Sequence, residues 1–179
     1  MVQKIFMLEP SPGSRIPKFV TATDAAGKSL FEDGPLQSLP EIGHLDVPSG
    51  VEKMDRLLTT GNELVLSEDA CAVLARCSVD PQVIRCPLRI KPAIVGTSWG
   101  NYALWHATRR HAILHESASV RSIKGHVLSV YEWSVASSCL PSFDLFLGPT
   151  NRWFASEKLV DAVFERRLSG FGFAVIPCF

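Results

Sequence analysis

The chain has 179 residues, 46% of them hydrophobic, 20% charged and 9% aromatic. These are the proportions of one packed domain able to bury roughly 70% of its unfolded surface, and they exclude a disordered chain, a collagen or a coiled coil. Eighteen Lys plus Arg balance eighteen Asp plus Glu, so no net field attracts nucleic acid or an anionic membrane, and any electrostatic partner has to be met by a local patch.

Residues 1–60 carry six of the twelve prolines (Pro10, Pro12, Pro17, Pro35, Pro40 and Pro48) and only two short apolar runs, Lys4 to Leu8 and Phe19 to Ala22. Two short strands and a long irregular connection are expected there. The run before Glu9-Pro10 is too brief for a signal h-region, and no later stretch approaches the ~18 apolar residues of a membrane span, so a protein that stays soluble where it is made is expected. From Val51 to Leu58 the apolar residues fall at i, i+3, i+6 and i+7, which predicts a brief helix before Gly61.

Two later segments share one plan. Leu64-Val65-Leu66-Ser67-Glu68-Asp69, running on to Arg76, reads as a strand, a serine cap and a helix, and Trp153-Phe154-Ala155-Ser156-Glu157-Lys158, running on to Arg167, repeats it. In each, the serine can accept from free N–H groups of the first turn, an acid follows near the positive helix end, and arginine closes the last turn. Extended apolar stretches follow, Val83 to Leu88 and Gly172 to Cys178, so residues 64–90 and 153–178 are each expected to be strand, helix, strand. Leu159, Val160, Val163 and Phe164 form one stripe, which lays the second helix on a sheet. Between the copies, Tyr102 to Leu114 suits helix or strand, whereas His126 to Val135 alternates as a strand. The fold class is therefore α+β: a single domain with a mixed, largely antiparallel sheet and two Ser-capped helices.

Five cysteines (Cys71, Cys77, Cys86, Cys139, Cys178) are scattered without C-x₂₋₄-C spacing, so reduced structural thiols are expected and no metal or cofactor. Gly96-Thr97-Ser98-Trp99-Gly100 matches G-x-S-x-G after an apolar run, the context of a nucleophile elbow. It would make Ser98 the nucleophile of a serine hydrolase. The required order Ser, acid, His fails, because the last histidine, His126, precedes Asp144 and Asp161, and a simple turn is favoured. His106, His111, His115 and His126 cluster in the middle; His111 and His115 would share a helix face but stand about 13 Å apart on a strand. Hydrogen-bonded or surface histidines are the favoured reading.

Charge is segregated along the chain. Residues 1–80 hold seven Lys plus Arg against twelve Asp plus Glu, and residues 81–131 hold seven against Glu116 alone. The basic segment, with Trp99, Tyr102 and Trp105 and with Arg109 and Arg110, is an alternative platform for stacking single-stranded nucleic acid. The acids Asp24, Glu32, Asp33, Glu41, Asp46, Glu52 and Asp55 form a candidate surface for a basic protein, and Trp99 and Trp153 are candidate anchors if exposed.

Phe143-Asp144-Leu145-Phe146-Leu147, a short loop, Trp153-Phe154-Ala155-Ser156-Glu157-Lys158-Leu159 and Gly170-Phe171-Gly172-Phe173 together resemble the C-terminal signature of the immunity protein eleven family. Leu64 to Ala75 looks like that family's first Ser-capped helix, and Tyr102 to Glu116 like its central strand region before a turn with Ser117 and Ser119. The resemblance runs from about Leu64 to the C-terminus, and the first sixty residues match only in being variable and proline-rich. Around the central turn the chain has His111, His115 and Glu116 where aspartates would be sought. The resemblance implies a bacterial cytoplasmic protein of polymorphic-toxin loci, not an enzyme, that binds a cognate toxin domain encoded next to it and neutralises it by stoichiometric occlusion. It further implies a toxin that acts in the cytoplasm, such as a nuclease or a nucleotide-modifying enzyme.

Overall fold

The computed structural model describes residues 4–10, 19–30, 39–59, 63–90, 99–123 and 126–179, except the side chains of 119 and 121–128. The strands are β1 (Ile5–Glu9), β2 (Thr21–Thr23), β3 (Gly43–Asp46), β4 (Arg56–Leu57), β5 (Leu64–Ser67), β6 (Val83–Ile90), β7 (Tyr102–Ala107), β8 (Ser119–Ile123), β9 (His126–Glu132), β10 (Leu145–Leu147), β11 (Trp153–Ser156) and β12 (Gly172–Ile176). The helices are α1 (Glu68–Leu74) and α2 (Glu157–Glu165). Both begin as their sequences predict: Ser67 Oγ accepts from the Ala70 N–H, and Ser156 Oγ from the Leu159 N–H, satisfying a donor that the first turn leaves free. Arg76 and Arg166 lie just past the helix ends and not in the last turns.

The repeat goes deeper than strand, helix, strand. One sheet runs β10-β11-β1-β12 and another β2-β3-β6-β7-β5-β4, with β8-β9 a separate hairpin. In the first, all pairings are antiparallel, and they match the antiparallel run β4-β5-β7-β6 within the second. Across one unit Ser67, Tyr102 and Leu88 lie side by side; across the other, Ser156, Ile5 and Ile176 do. Each unit is thus two strands, a helix and two strands, but the last strand of the second unit is β1, from the chain's beginning. The protein is a single α+β domain because one unit cannot be completed without the other end of the chain.

Two carboxylates clasp the units. Asp55, just before β4, accepts from Ser67 Oγ at 2.7 Å and from the N–H and Oγ of Ser169 at 2.8 and 2.9 Å. Asp144, just before β10, accepts from Ser156 Oγ at 2.6 Å, the Ser78 N–H at 2.8 Å and Lys158 Nζ at 3.0 Å. Asp144 and Ser156 each stand 89 positions after their counterparts (55 to 144, 67 to 156). Each aspartate binds its own unit's cap serine and the serine after the other unit's helix, so the clasps cross. Gly170 (φ +81) sits against the Arg56 carbonyl, where any Cβ would collide with backbone, so only glycine lets this crossing close.

The helices share one core between the two sheets, built on Leu66, Leu74, Trp105, Leu145, Leu159 and Val163. The outer face of the six-stranded sheet curls around a second core with Leu45, Val65, Leu88, Trp99 and Leu104, its ends joined by a parallel Val20–Thr59 bridge. A third core, including Ile5, Ile113, Phe146 and Phe154, covers the other sheet.

Two expectations need correction, and one open reading resolves. Val51–Leu58 forms no helix: residues 51–54 are irregular and β4 follows, because Asp55 and Arg56 are held by long-range bonds to Ser169. β3 was not visible as an apolar run, since its burial alternates around His44 and Asp46. Tyr102–Leu114 resolves as strand only to Ala107; beyond it the chain is irregular, so His111 and His115 share no helix face.

Candidate protein-docking surface

α2 covers the sheet with Leu159, Val160 and Val163, all buried, yet Phe164 of the same predicted stripe is 64% exposed. On a helical wheel Phe164 lies at the stripe's margin next to Val160, on the flank facing β1 and β12. There it meets Phe173 of β12 with ring centroids 5.9 Å apart, and Phe173 in turn meets Phe6 of β1 edge-on at 6.5 Å and Phe171 at 6.2 Å. Val175, one pleat further along β12 on the same face, is also 64% exposed. A rim of aromatic and aliphatic side chains therefore opens to solvent beside the helix.

Acids border it. Glu157, Asp161 and Glu165 recur every four residues and so form one row along α2, all exposed. Lys4 Nζ pairs with Glu157 Oε1 at 2.9 Å; the bond to Glu157, followed by the charges of Glu157 and Asp161, raises the Lys4 ammonium above its ordinary pKa. An apolar centre with a charged border is the anatomy of a protein interface.

The predicted contact residues are distributed differently. Trp99 and Trp153 are core side chains, 6% and 4% exposed, and present no ring to a partner. Asp24 is spent on its own turn, accepting from the Ala26 and Lys28 N–H groups at 2.9 Å each. Asp55 is a clasp. Glu41 and Glu52 are exposed and Asp46 is half-buried on β3; Glu32 and Asp33 lie outside the described residues. Phe164, Phe173 and Val175 were missed as contact residues because periodicity assigns Phe164 to the buried stripe and β12 to buried sheet.

Ser98, with Gly96 and Thr97, lies outside the described residues. The stacking platform is corrected: Trp99, Tyr102 and Trp105 are all buried and cannot receive bases, since Tyr102 donates its hydroxyl to the Met54 carbonyl and Trp105 lies beneath Arg85 at 4.0 Å. Arg109 and Arg110 are exposed. His106 pairs with Glu63 at 3.3 Å in a buried contact and His111 with Asp80 at 2.6 Å in a separate, part-buried one, while His115 bonds Ser117. Among the described residues no group of three His, Cys, Asp or Glu is placed to hold a metal ion. The five thiols are free, and burial raises those of Cys71, Cys77, Cys86 and Cys178, which makes them poor nucleophiles. No described helix is long and apolar enough to cross a membrane. Comparison with protein-family models and with curated proteins finds no match for the chain.

Proposed function

We propose that this chain is a bacterial cytoplasmic immunity protein, a stoichiometric inhibitor that occludes a cognate toxin domain encoded beside it. The observation that carries the reading is the open Phe164–Phe173–Val175 rim bordered by the acidic row of α2. Leaving two large apolar side chains two-thirds exposed on an otherwise packed helix-and-sheet layer lowers solubility, so the arrangement makes sense where a partner covers it. The similarity of the Phe143–Phe173 region to the immunity protein eleven pattern supports the same conclusion. Inhibition here needs binding and no chemistry. A complex of this kind buries about 1,200–2,000 Å² in total and places its anchors at the centre, and the α2 carboxylates would speed encounter with a basic toxin surface.

Co-expression tests the reading. A neighbouring secreted protein's C-terminal domain, toxic alone in a heterologous host, is expected to lose its toxicity in the presence of this chain and to copurify with it one to one. Unrelieved toxicity with no complex would remove the cognate-pair reading.

A further inference from the structure

We propose that the outer edge of β12 is a strand-addition site for an extended, cationic segment of a partner protein. This deepens the partner-binding reading above, but its physical basis is the sheet itself.

Exposed sheet edges present unpaired N–H and C=O groups and are normally covered or defended. In the six-stranded sheet the ends are closed: Val20 N–H donates to the Leu58 carbonyl, the Arg56 N–H donates to Ser169, and Leu30 N–H donates to Ala22 of β2. The β10 edge is closed too, by the Ser78 carbonyl and the Asp80 N–H on Leu145 and by the His111 N–H on Leu147. β12 differs. Beyond its end, the Val135 N–H donates to the Pro177 carbonyl and the Phe179 N–H to the Val135 carbonyl. Those two bonds fix the odd-numbered residues as the ones turning their backbone outwards, because the direction alternates along a strand. The N–H and C=O groups of Phe173 and Val175 therefore point off the sheet, and among the described residues they have no partner.

In the sister unit the equivalent strand, β6, is covered by β3 over Leu88–Ile90, and the stretch before that carries residues that resist strand addition. By the shared register of Leu88 with Ile176, the residues of β6 equivalent to Phe173 and Val175 are Arg85 and Pro87: a charge, and a residue without an N–H. β12 reads Gly-Phe-Ala-Val-Ile and has neither device. An added strand would satisfy the four free groups, and the alternate side chains it turns towards α2, if cationic, would lay their aliphatic stems on Phe173 and Val175 and carry their charge to Asp161 and Glu165, while the intervening side chains turn to the other face. Charge selects this occupant over a second copy of the chain. An antiparallel β12–β12 pair would bring the two rows of Glu157, Asp161 and Glu165 together, acid against acid.

Amide hydrogen exchange at low salt tests it, with a blocked ten-residue peptide of alternating lysine and valine as probe and its glutamate–valine counterpart as control. The lysine peptide should slow exchange at Phe173 and Val175 at least tenfold, and the glutamate peptide should not. Val175→Pro installs the sister unit's defence on an outward N–H, so it should abolish protection at Phe173 while the inward amides of Met7 and Ala174 stay protected. Should that variant misfold, Asp161→Lys with Glu165→Lys should reverse the preference between peptides. No protection by either peptide, equal protection by both, or protection surviving Val175→Pro would overturn the proposal. So would protection that appears without peptide and grows with protein concentration, which would mark a second copy as the occupant. Because no toxin is used, a positive result alongside failed growth rescue would separate the edge from the immunity role.

Discussion

Asp55 and Asp144 are the residues on which the two units turn. Burial alone would push each carboxyl up, but at Asp55 the Ser169 and Ser67 donors outweigh it, and at Asp144 the Ser156, Ser78 and Lys158 donors do, so both sit below their ordinary value of 3.8. A carboxyl depressed in the folded chain contributes stability that is present above its unfolded pKa and lost as pH falls through the folded one. Denaturant midpoints should therefore hold near neutrality and fall as pH drops below about 4, and that acid limb should flatten in Asp55→Asn and Asp144→Asn. Each substitution should also cost about 1–3 kcal/mol at pH 7, since a serine donor loses its charged acceptor; urea titration checks both. The cap serines were legible in the sequence because a cap acts on the next few residues. The aspartates were not, because each binds a serine in the other unit, and Asp55 was read instead as a surface acid.

At the scale of elements, β1 shows how far a local reading reaches. Its apolar run marked it as a strand, but nothing near it marked it as the centre of a sheet whose other members start at Leu145. Ile5 is 2% exposed, so Ile5→Ala should cost about 2–5 kcal/mol. Since the second unit's helix rests on the same core as the first, the loss should appear as one coincident shift by circular dichroism and tryptophan fluorescence, not as a separate early transition. Helix periodicity found α2 but misjudged its margin, because a stripe of four apolar residues does not reveal where the underlying sheet ends. The same cause hid the exposed side of β12. Periodicity failed outright at Val51–Leu58, where cross-chain bonds to Ser169 outweigh a weak helical pattern.

For the whole molecule, balanced charge conceals a division of labour: the basic middle segment contributes buried aromatic residues to the cores, while the α2 carboxylates border the apolar rim proposed to receive a partner. Tyr131, on the β8–β9 hairpin, is 67% exposed and provides a control of similar size away from that rim. Binding of the proposed toxin domain is most directly read by calorimetric titration against the intact chain, Phe164→Ala and Tyr131→Ala. A rim-centred inhibitor gives one-to-one binding that Phe164→Ala weakens at least tenfold, about 1.4 kcal/mol or more, with Tyr131→Ala close to the intact chain. Absence of binding, or equal losses in the two variants, would contradict it.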